Sequence, residues 1–165
     1  HLVFSTLHTN NAPESIVRLL DMGMDPFNFA DAILCILAQR LAHTFCKNCK
    51  QTYHPSKDHY HELVREYGPE DFSRHAKIPY TDELLLYRPI GCHLCQNSGY
   101  RGRMALHELL MGTEEIKRLI QNKAKVEAIR TQAIKDGMTT LKQDGIEKVL
   151  FGHLDLIQVR KVCIK

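Results

Sequence analysis

Four cysteines in two Cys-x-x-Cys pairs, Cys46 with Cys49 and Cys92 with Cys95, carry the strongest chemical signal in the chain. Thiolates are soft ligands, a Cys-x-x-Cys turn brings two sulfurs to one ion, and two such turns close a tetrahedral site around Zn2+. A closed site of this kind has no open position for water, so it would staple a module and not catalyse. Four reduced thiols or two redox pairs are the alternative, although a redox motif needs only one pair. The connection between the pairs is 42 residues, positions 50 to 91, longer than the roughly 15–20 residues of a compact zinc ribbon. His43, His54 and His93 lie near the pairs in sequence and read as supporting or exposed groups. Cys35, in an apolar stretch, reads as a small buried hydrophobe, and Cys163 as an incidental thiol.

The second candidate is the polar run Ser5, Thr6, Leu7, His8, Thr9, Asn10 that follows an apolar stretch. At the carboxyl end of a strand in an α/β sheet such groups face the crevice where ligands bind. There a hydroxyl, an imidazole and an amide could contact a phosphate or orient a water; an ordinary connecting loop has the same composition. The chain holds no G-x-x-x-x-G-K-[ST], no G-x-G-x-x-G, no G-x-S-x-G and no His-Glu-x-x-His. A self-contained ATPase, dehydrogenase, esterase or metalloprotease is therefore not expected.

Composition narrows the class. With 165 residues there is room for one ordinary domain or a compact body with a small appendage. Hydrophobic residues at 44% and charged residues at 25% fit a folded globular chain, not a disordered one. A formal charge of +3, from 22 Lys+Arg against 19 Asp+Glu, is far from the basic balance of a nucleic-acid binder. The longest apolar stretch, roughly Phe27 to Ala42, is broken by Asn28, Asp31, Gln39 and Arg40 and predicts no membrane span. The chain begins at His1 inside an apolar run, which reads as a piece cut from something longer. The cysteine usage favours a reducing compartment.

Local patterns supply the elements that must position these groups. Leu2 to Leu7 reads as a buried strand feeding a loop. Asn11, Pro13 and Glu14 mark a helix start, with Ile16, Leu19 and Leu20 at helical spacing up to Gly23. A second, largely buried helix is expected from about Phe29 to Leu41. Ser56 to Ala76 should be helical in pieces broken near Gly68-Pro69; Leu84 to Arg88 and Met104 to Leu110 read as strands. Four helices are expected after Thr113, one capped by Thr113 itself, one stopped by Gly137, one ending before Gly152 and a short last one capped by Asp155.

Taken together, His-Leu-Val-Phe-Ser-Thr-Leu-His-Thr-Asn at 1–10, Gln-Arg-Leu at 39–41, the Cys pair at 46–49 and Gly-Cys-x-x-Cys-x-x-x-Gly-Tyr-x-Gly-Arg at 91–103 stand in a familiar order. Glu108-Leu-Leu and Asp136-Gly-Met-x-x-Leu-x-x-Asp-Gly at 136–145 continue it. The chain resembles the GspE/PilB family of type II secretion and type IV pilus-extension ATPases over nearly its whole length. The resemblance implies an α/β fold: the C-terminal part of a RecA-like P-loop NTPase domain, mostly helical here, with a tetracysteine zinc module and a C-terminal helical bundle. It divides the chain into 1–43, the end of the RecA-like core, 44–103, the zinc module, and 104–165, a returning strand and helical subdomain.

By the same resemblance, residues 1–10 are the family's His box, in which His1 and His8 lie near the nucleotide γ-phosphate and serve catalysis. Thr6, His8 and Arg40 would bind nucleotide, and Cys46, Cys49, Cys92 and Cys95 would hold structural Zn2+. ATP and Mg2+ would belong to the intact protein only, because the Walker motifs are absent here. Implied partners are neighbouring subunits of a homohexamer and an inner-membrane platform protein, with no nucleic acid. The implied place is the cytoplasmic face of a bacterial inner membrane, peripheral and not inserted. The fragment alone should not hydrolyse ATP. The sequence departs from the family pattern at Asn11, His43, Leu154 and Gln158, and Arg101 and Arg103 either face a partner subunit or are solvated surface. A freestanding zinc module that binds nucleic acid or protein is the second reading, against which stand Glu62, Glu66, Glu70, Asp71, Asp82 and Glu83 inside the module. A thiol-disulfide enzyme is the third.

Overall fold

A computed structural model describes residues 1–163, and in it the elements sort into two units. The first comprises His1–Gln39 and His107–Thr140, the second Arg40–Leu106 and the chain from Leu141 onward. Two strands, β1 (Cys35–Phe45) and β4 (Tyr100–Met111), pair with each other and contribute residues to both units.

In the first unit, α1 (Ala12–Asp21) starts where the sequence says it should: the Asn11 side chain accepts from the Glu14 amide at 2.9 Å and Pro13 occupies the first turn. Asp25 caps α2 (Pro26–Ala32) through the Asn28 amide. Thr113 caps α5 (Glu114–Gln121) through the Ile116 amide and also donates to Asp136 at 2.6 Å, just past the end of α6 (Val126–Lys135). These helices and β4 close on Ala12, Ile16, Phe29, Ala30, Leu110, Ile116, Ile120, Ile129 and Met138. Each fully buried aliphatic side chain among them stabilises the unit by about 1.5–3 kcal/mol.

Two expectations fail in this unit. Leu2 to Leu7 is not a buried strand: the described residues up to Thr9 have neither helix nor strand, and Phe4 is 89% exposed. A strand exists only against a partner that accepts its ladder of hydrogen bonds, and none of the described strands pairs with this run. The long helix from Phe29 to Leu41 is also wrong. α2 ends at Ala32, Ile33 turns extended, and Cys35–Phe45 is the strand β1. Apolar residues fall on both faces of β1, with Leu37 exposed and Ala42 buried, and a run of that composition has no period that separates a buried helix from a strand. Cys35 is accordingly exposed and not a core residue.

The second unit contains a short antiparallel pair, β2 (Gln51–Tyr53) with β3 (Leu86–Arg88), in the register Gln51 opposite Arg88 and Tyr53 opposite Leu86. Between them come α3 (Lys57–Tyr67), the single turn α4 (Pro69–Asp71) and a π-helical turn over Phe72–Ala76, broken at Gly68-Pro69 as expected. α7 (Leu141–Leu150) and α8 (Leu156–Val162), the latter capped by Asp155, pack on this set. The core is Ala42, Leu63, Tyr67, Phe72, Leu86, Leu106, Ile146, Val149, Leu154 and Val159. At Gly145 α7 packs tightly: a Cβ there would lie 2.7 Å from Val159 Cγ1 and 3.1 Å from Leu106 Cδ1. Glycine at this helix position thus serves packing density, at a cost in helix propensity of about 1 kcal/mol.

An ion-pair group ties α3 to α8. Arg160 donates to Glu62 Oε1 at 2.5 Å and through Nε to Glu66 Oε1 at 2.8 Å, and Lys142 lies 3.6 Å from Glu66. Burial pushes the Glu66 carboxyl up, but the Arg160 hydrogen bond and charge, with Lys142 beside them, outweigh it and hold it below its ordinary value. A carboxyl depressed in the folded state stabilises above its unfolded value, about 4.3, and that stability is lost as pH falls through the folded value. Glu66→Gln is therefore expected to lose about 1 kcal/mol at pH 7 and to show a shallower fall in stability below about pH 4 than the parent chain. Urea melts at pH 7, 4 and 3 check this; an equal difference between the two proteins at all three values would refute it.

Candidate metal centre

The four cysteines converge inside the second unit. Cys46 follows the last residue of β1, and its amide donates to Gly99 O at 2.9 Å. The chain then turns back on itself, with the amides of Cys49 and Lys50 both donating to Cys46 O, which brings the Cys49 sulfur alongside that of Cys46. Cys92 precedes a 3-10 turn over His93–Cys95 in which the amides of Cys95 and Asn97 donate to Cys92 O. Two tight turns, one after β1 and one before β4, thus present two sulfurs each.

All four Sγ atoms lie within 4.8 Å of one another, and this is the one cluster of potential metal ligands among the described residues. The sulfur separations are 3.9 Å for Cys46 to Cys92, 3.8 Å for Cys49 to Cys95 and 3.8 Å for Cys92 to Cys95. A regular tetrahedron with metal–sulfur bonds of about 2.3 Å has sulfur–sulfur edges of about 3.8 Å, so the cage has the size that a tetrathiolate-bound ion requires. The sulfurs are unbridged, which excludes a disulfide framework for this geometry. The four side chains can hold a metal ion.

The surroundings favour negative charge on two of the sulfurs, those of Cys95 and Cys92. Cys95 Sγ accepts from the amides of Cys92 at 3.2 Å and Gly99 at 3.3 Å, and the Asn48 side-chain amide reaches Cys92 Sγ at 3.5 Å. Burial pushes the Cys95 thiol up, yet those amides and the neighbouring thiols outweigh it and bring it down to about 6. The Asn48 amide holds Cys92 below its ordinary value against burial. Burial pushes Cys49 up to about 11, and its hydrogen bonds to the other three thiols act in the same direction against the Gly91 amide. Thiols packed this closely cannot all ionise without a cation among them, and a divalent ion supplies the charge that does so. Bound there, the ion supplies cross-linking of two distant turns; with every position taken by sulfur it offers none to substrate.

Asn48 and Gly99 were not singled out as site residues from the sequence. The signal available was modest: a short amide side chain directly before Cys49, and a glycine four residues after Cys95, which the structure places at positive φ against Pro89. The histidines near the pairs stay outside the cluster. His43 and His93 are exposed, and His54 bonds to Thr81 O at 3.0 Å.

The nucleotide-related candidates are placed differently. His1, Thr6 and His8 lie on the exposed run at the start of the first unit, and Arg40 lies on β1 in the second. Only the continuation of that run is pinned: Thr9 Oγ1 is 2.6 Å from Ser15 Oγ, on the first turn of α1. No helix among the described residues is long and apolar enough to cross a membrane.

Comparison with known proteins covers the chain well beyond the centre. The family described as "Type II/IV secretion system protein" matches residues 1–161. The type II secretion system ATPase E of Vibrio cholerae is 38% identical over 162 residues, 98% of this chain and 29% of that protein. The type IV pilus assembly ATPase PilB of Pseudomonas aeruginosa is 38% identical over 98% of this chain and 26% of its own length. PilB of Thermus thermophilus is 38% identical over 96% of this chain and 17% of its own. The chain thus spans less than a third of the length of these relatives. Its match over residues 1–161 makes it a member of the type II/IV secretion system protein family.

Proposed function

We propose that this chain is the C-terminal part of a motor that couples ATP hydrolysis to assembly of a pilus or of the pseudopilus of type II secretion. The observation that carries the reading is a tetrathiolate-sized cage within a chain whose family match runs from residue 1 to 161. In this reading the ion is Zn2+, because four thiolates in tetrahedral array suit it. Residues 1–43 complete a RecA-like core, 44–103 form the zinc module and 104–165 carry the C-terminal helical subdomain. The motor is a homohexamer at the cytoplasmic face of the inner membrane, and the module bears on a membrane platform protein.

Nucleotide chemistry falls to the run before α1. His8, and with it His1, approaches the γ-phosphate, where an imidazole N–H can stabilise charge that develops on a phosphoryl oxygen. The Thr6 hydroxyl is the second donor. Arg40 supplies fixed positive charge. Phosphate cradle and Mg2+ ligands belong to the preceding part of the polypeptide, so the 165-residue chain alone hydrolyses no ATP.

The test is ATP hydrolysis by the intact polypeptide, by its His8→Ala variant and by this chain alone. Removal of one charge-stabilising donor should lower kcat by about a hundredfold, and the chain alone should be silent. An intact protein without ATPase activity, or a His8→Ala variant at the parent rate, would overturn the reading.

A further inference from the structure

Glu108 breaks the pattern of the strand that carries it. Along β4, Leu106, Glu108 and Leu110 fall on the buried side and His107 and Leu109 on the exposed side. Leu106 and Leu110 are fully buried, and Glu108 is only 4% exposed, a carboxylate at a position where alternation calls for another aliphatic side chain. A buried carboxylate requires hydrogen-bond donors, and one of them is distant: Glu108 Oε1 accepts from the amide of Ala12 at 2.8 Å, 96 residues away in sequence.

Ala12 is the first residue of α1, and helix starts leave their first amides without partners in the helix itself. At α1 each of the first three is accounted for. The Ala12 amide goes to Glu108, Pro13 has no amide hydrogen, and the Glu14 amide goes to Asn11 Oδ1 at 2.9 Å. The negative carboxylate also faces the positive end of the helix macrodipole. Beyond the cap the order continues outward. Asn11 Nδ2 reaches Glu14 Oε1 at 2.6 Å, Ser15 Oγ donates to Asn11 O at 3.2 Å, and Ser15 Oγ is 2.6 Å from Thr9 Oγ1. Ser15 is itself buried, so Thr9 is tied to a fixed point. The residue before Thr9 is His8.

We infer that Glu108 is a positioning residue: from the buried face of β4 it fixes the start of α1 and, through Asn11, Ser15 and Thr9, the point from which His8 projects. His8 itself is exposed and directly precedes this anchored residue. This rests on the proposed function, in which His8 meets nucleotide. A misplaced group loses transition-state contact before it loses ground-state binding, so the expected effect is on kcat and not on KM.

The experiment uses the intact polypeptide and three variants. Glu108→Ala removes the acceptor; Glu108→Asp keeps the buried charge but withdraws it from Ala12 by one methylene; Glu108→Gln keeps an oxygen in place without charge. Glu108→Ala and Glu108→Asp should lower kcat by about ten- to a hundredfold with KM for ATP within about twofold, and Glu108→Gln should restore most of the rate. Deuterium uptake should rise in the peptide covering residues 8–15 of the Ala and Asp variants and stay at the parent level in Glu108→Gln. If Glu108→Ala does not fold, Glu108→Asp reads the same quantities. Unchanged kcat in the variants, or uptake in 8–15 that does not follow the acceptor, would overturn the inference. An inactive parent protein whose uptake still follows the acceptor would instead overturn the ATPase reading and leave the anchoring by Glu108 supported.

Discussion

Removing the ion from the four-thiolate centre should lower the thermal midpoint of this chain more than any surface substitution. Linkage gives the size: at free metal about a thousand times its dissociation constant, binding stabilises the folded state by about 4 kcal/mol, which for a chain of this length is about 8–16 °C. The two turns that hold the sulfurs bury little of their own. Cys92 and Cys49 are half-buried, and His93, Leu94 and Gln96 to Ser98 are exposed, so a cross-link replaces the core that these turns lack. The second unit's own core of Leu63, Leu86, Ile146 and Val159 lies outside the turns, so helical signal should survive metal loss better than the order of residues 46–53 and 90–100. Elemental analysis should find one zinc per chain in the parent and none in the Cys46→Ser/Cys92→Ser double variant. Calorimetry with and without a chelator measures the shift. A midpoint indifferent to chelator, in a protein shown to have lost its metal, would refute a stapling role.

The second large effect is expected at Gly99, where two requirements meet. Its φ of +79° lies in the region that an L side chain enters at a cost of about 1–2 kcal/mol, and a Cβ there would lie 2.4 Å from Pro89 Cβ. Overpacking against a proline ring, which cannot swing away, adds about 1–3 kcal/mol. Gly99 also joins the two halves of the cage, because its amide donates to Cys95 Sγ and its carbonyl accepts from the Cys46 amide. Gly99→Ala should therefore lower stability by about 2–5 kcal/mol and weaken metal binding by about 10- to 100-fold. Competition against a chromophoric zinc chelator reads the second quantity. Loss of stability with unchanged metal affinity would mean that the amide–sulfur bonds contribute nothing to the site.

The sequence by itself marked the four cysteines that the fold brings together, because two Cys-x-x-Cys turns need no long-range information to present two sulfurs each. It determined the caps as well. Asn11, Thr113 and Asp155 start their helices through bonds that span three residues, and Gly68-Pro69 breaks the helical run that precedes it, all within reach of local chemistry. The family was legible for the same reason, in short motifs in a fixed order.

What only the tertiary structure decided depends on partners far along the chain. Whether 35–45 is strand or helix turns on pairing with residues 100–111, and an apolar run with no clear period is silent about that. The run 1–9 illustrates the converse: its residues favour a strand, yet a strand is a property of two segments, and no described strand accepts it. Glu108 reads locally as a charge on a strand that should face water. Only the fold brings the amide of Ala12 to it across 96 residues, a donor that helps the carboxylate stand on the buried face.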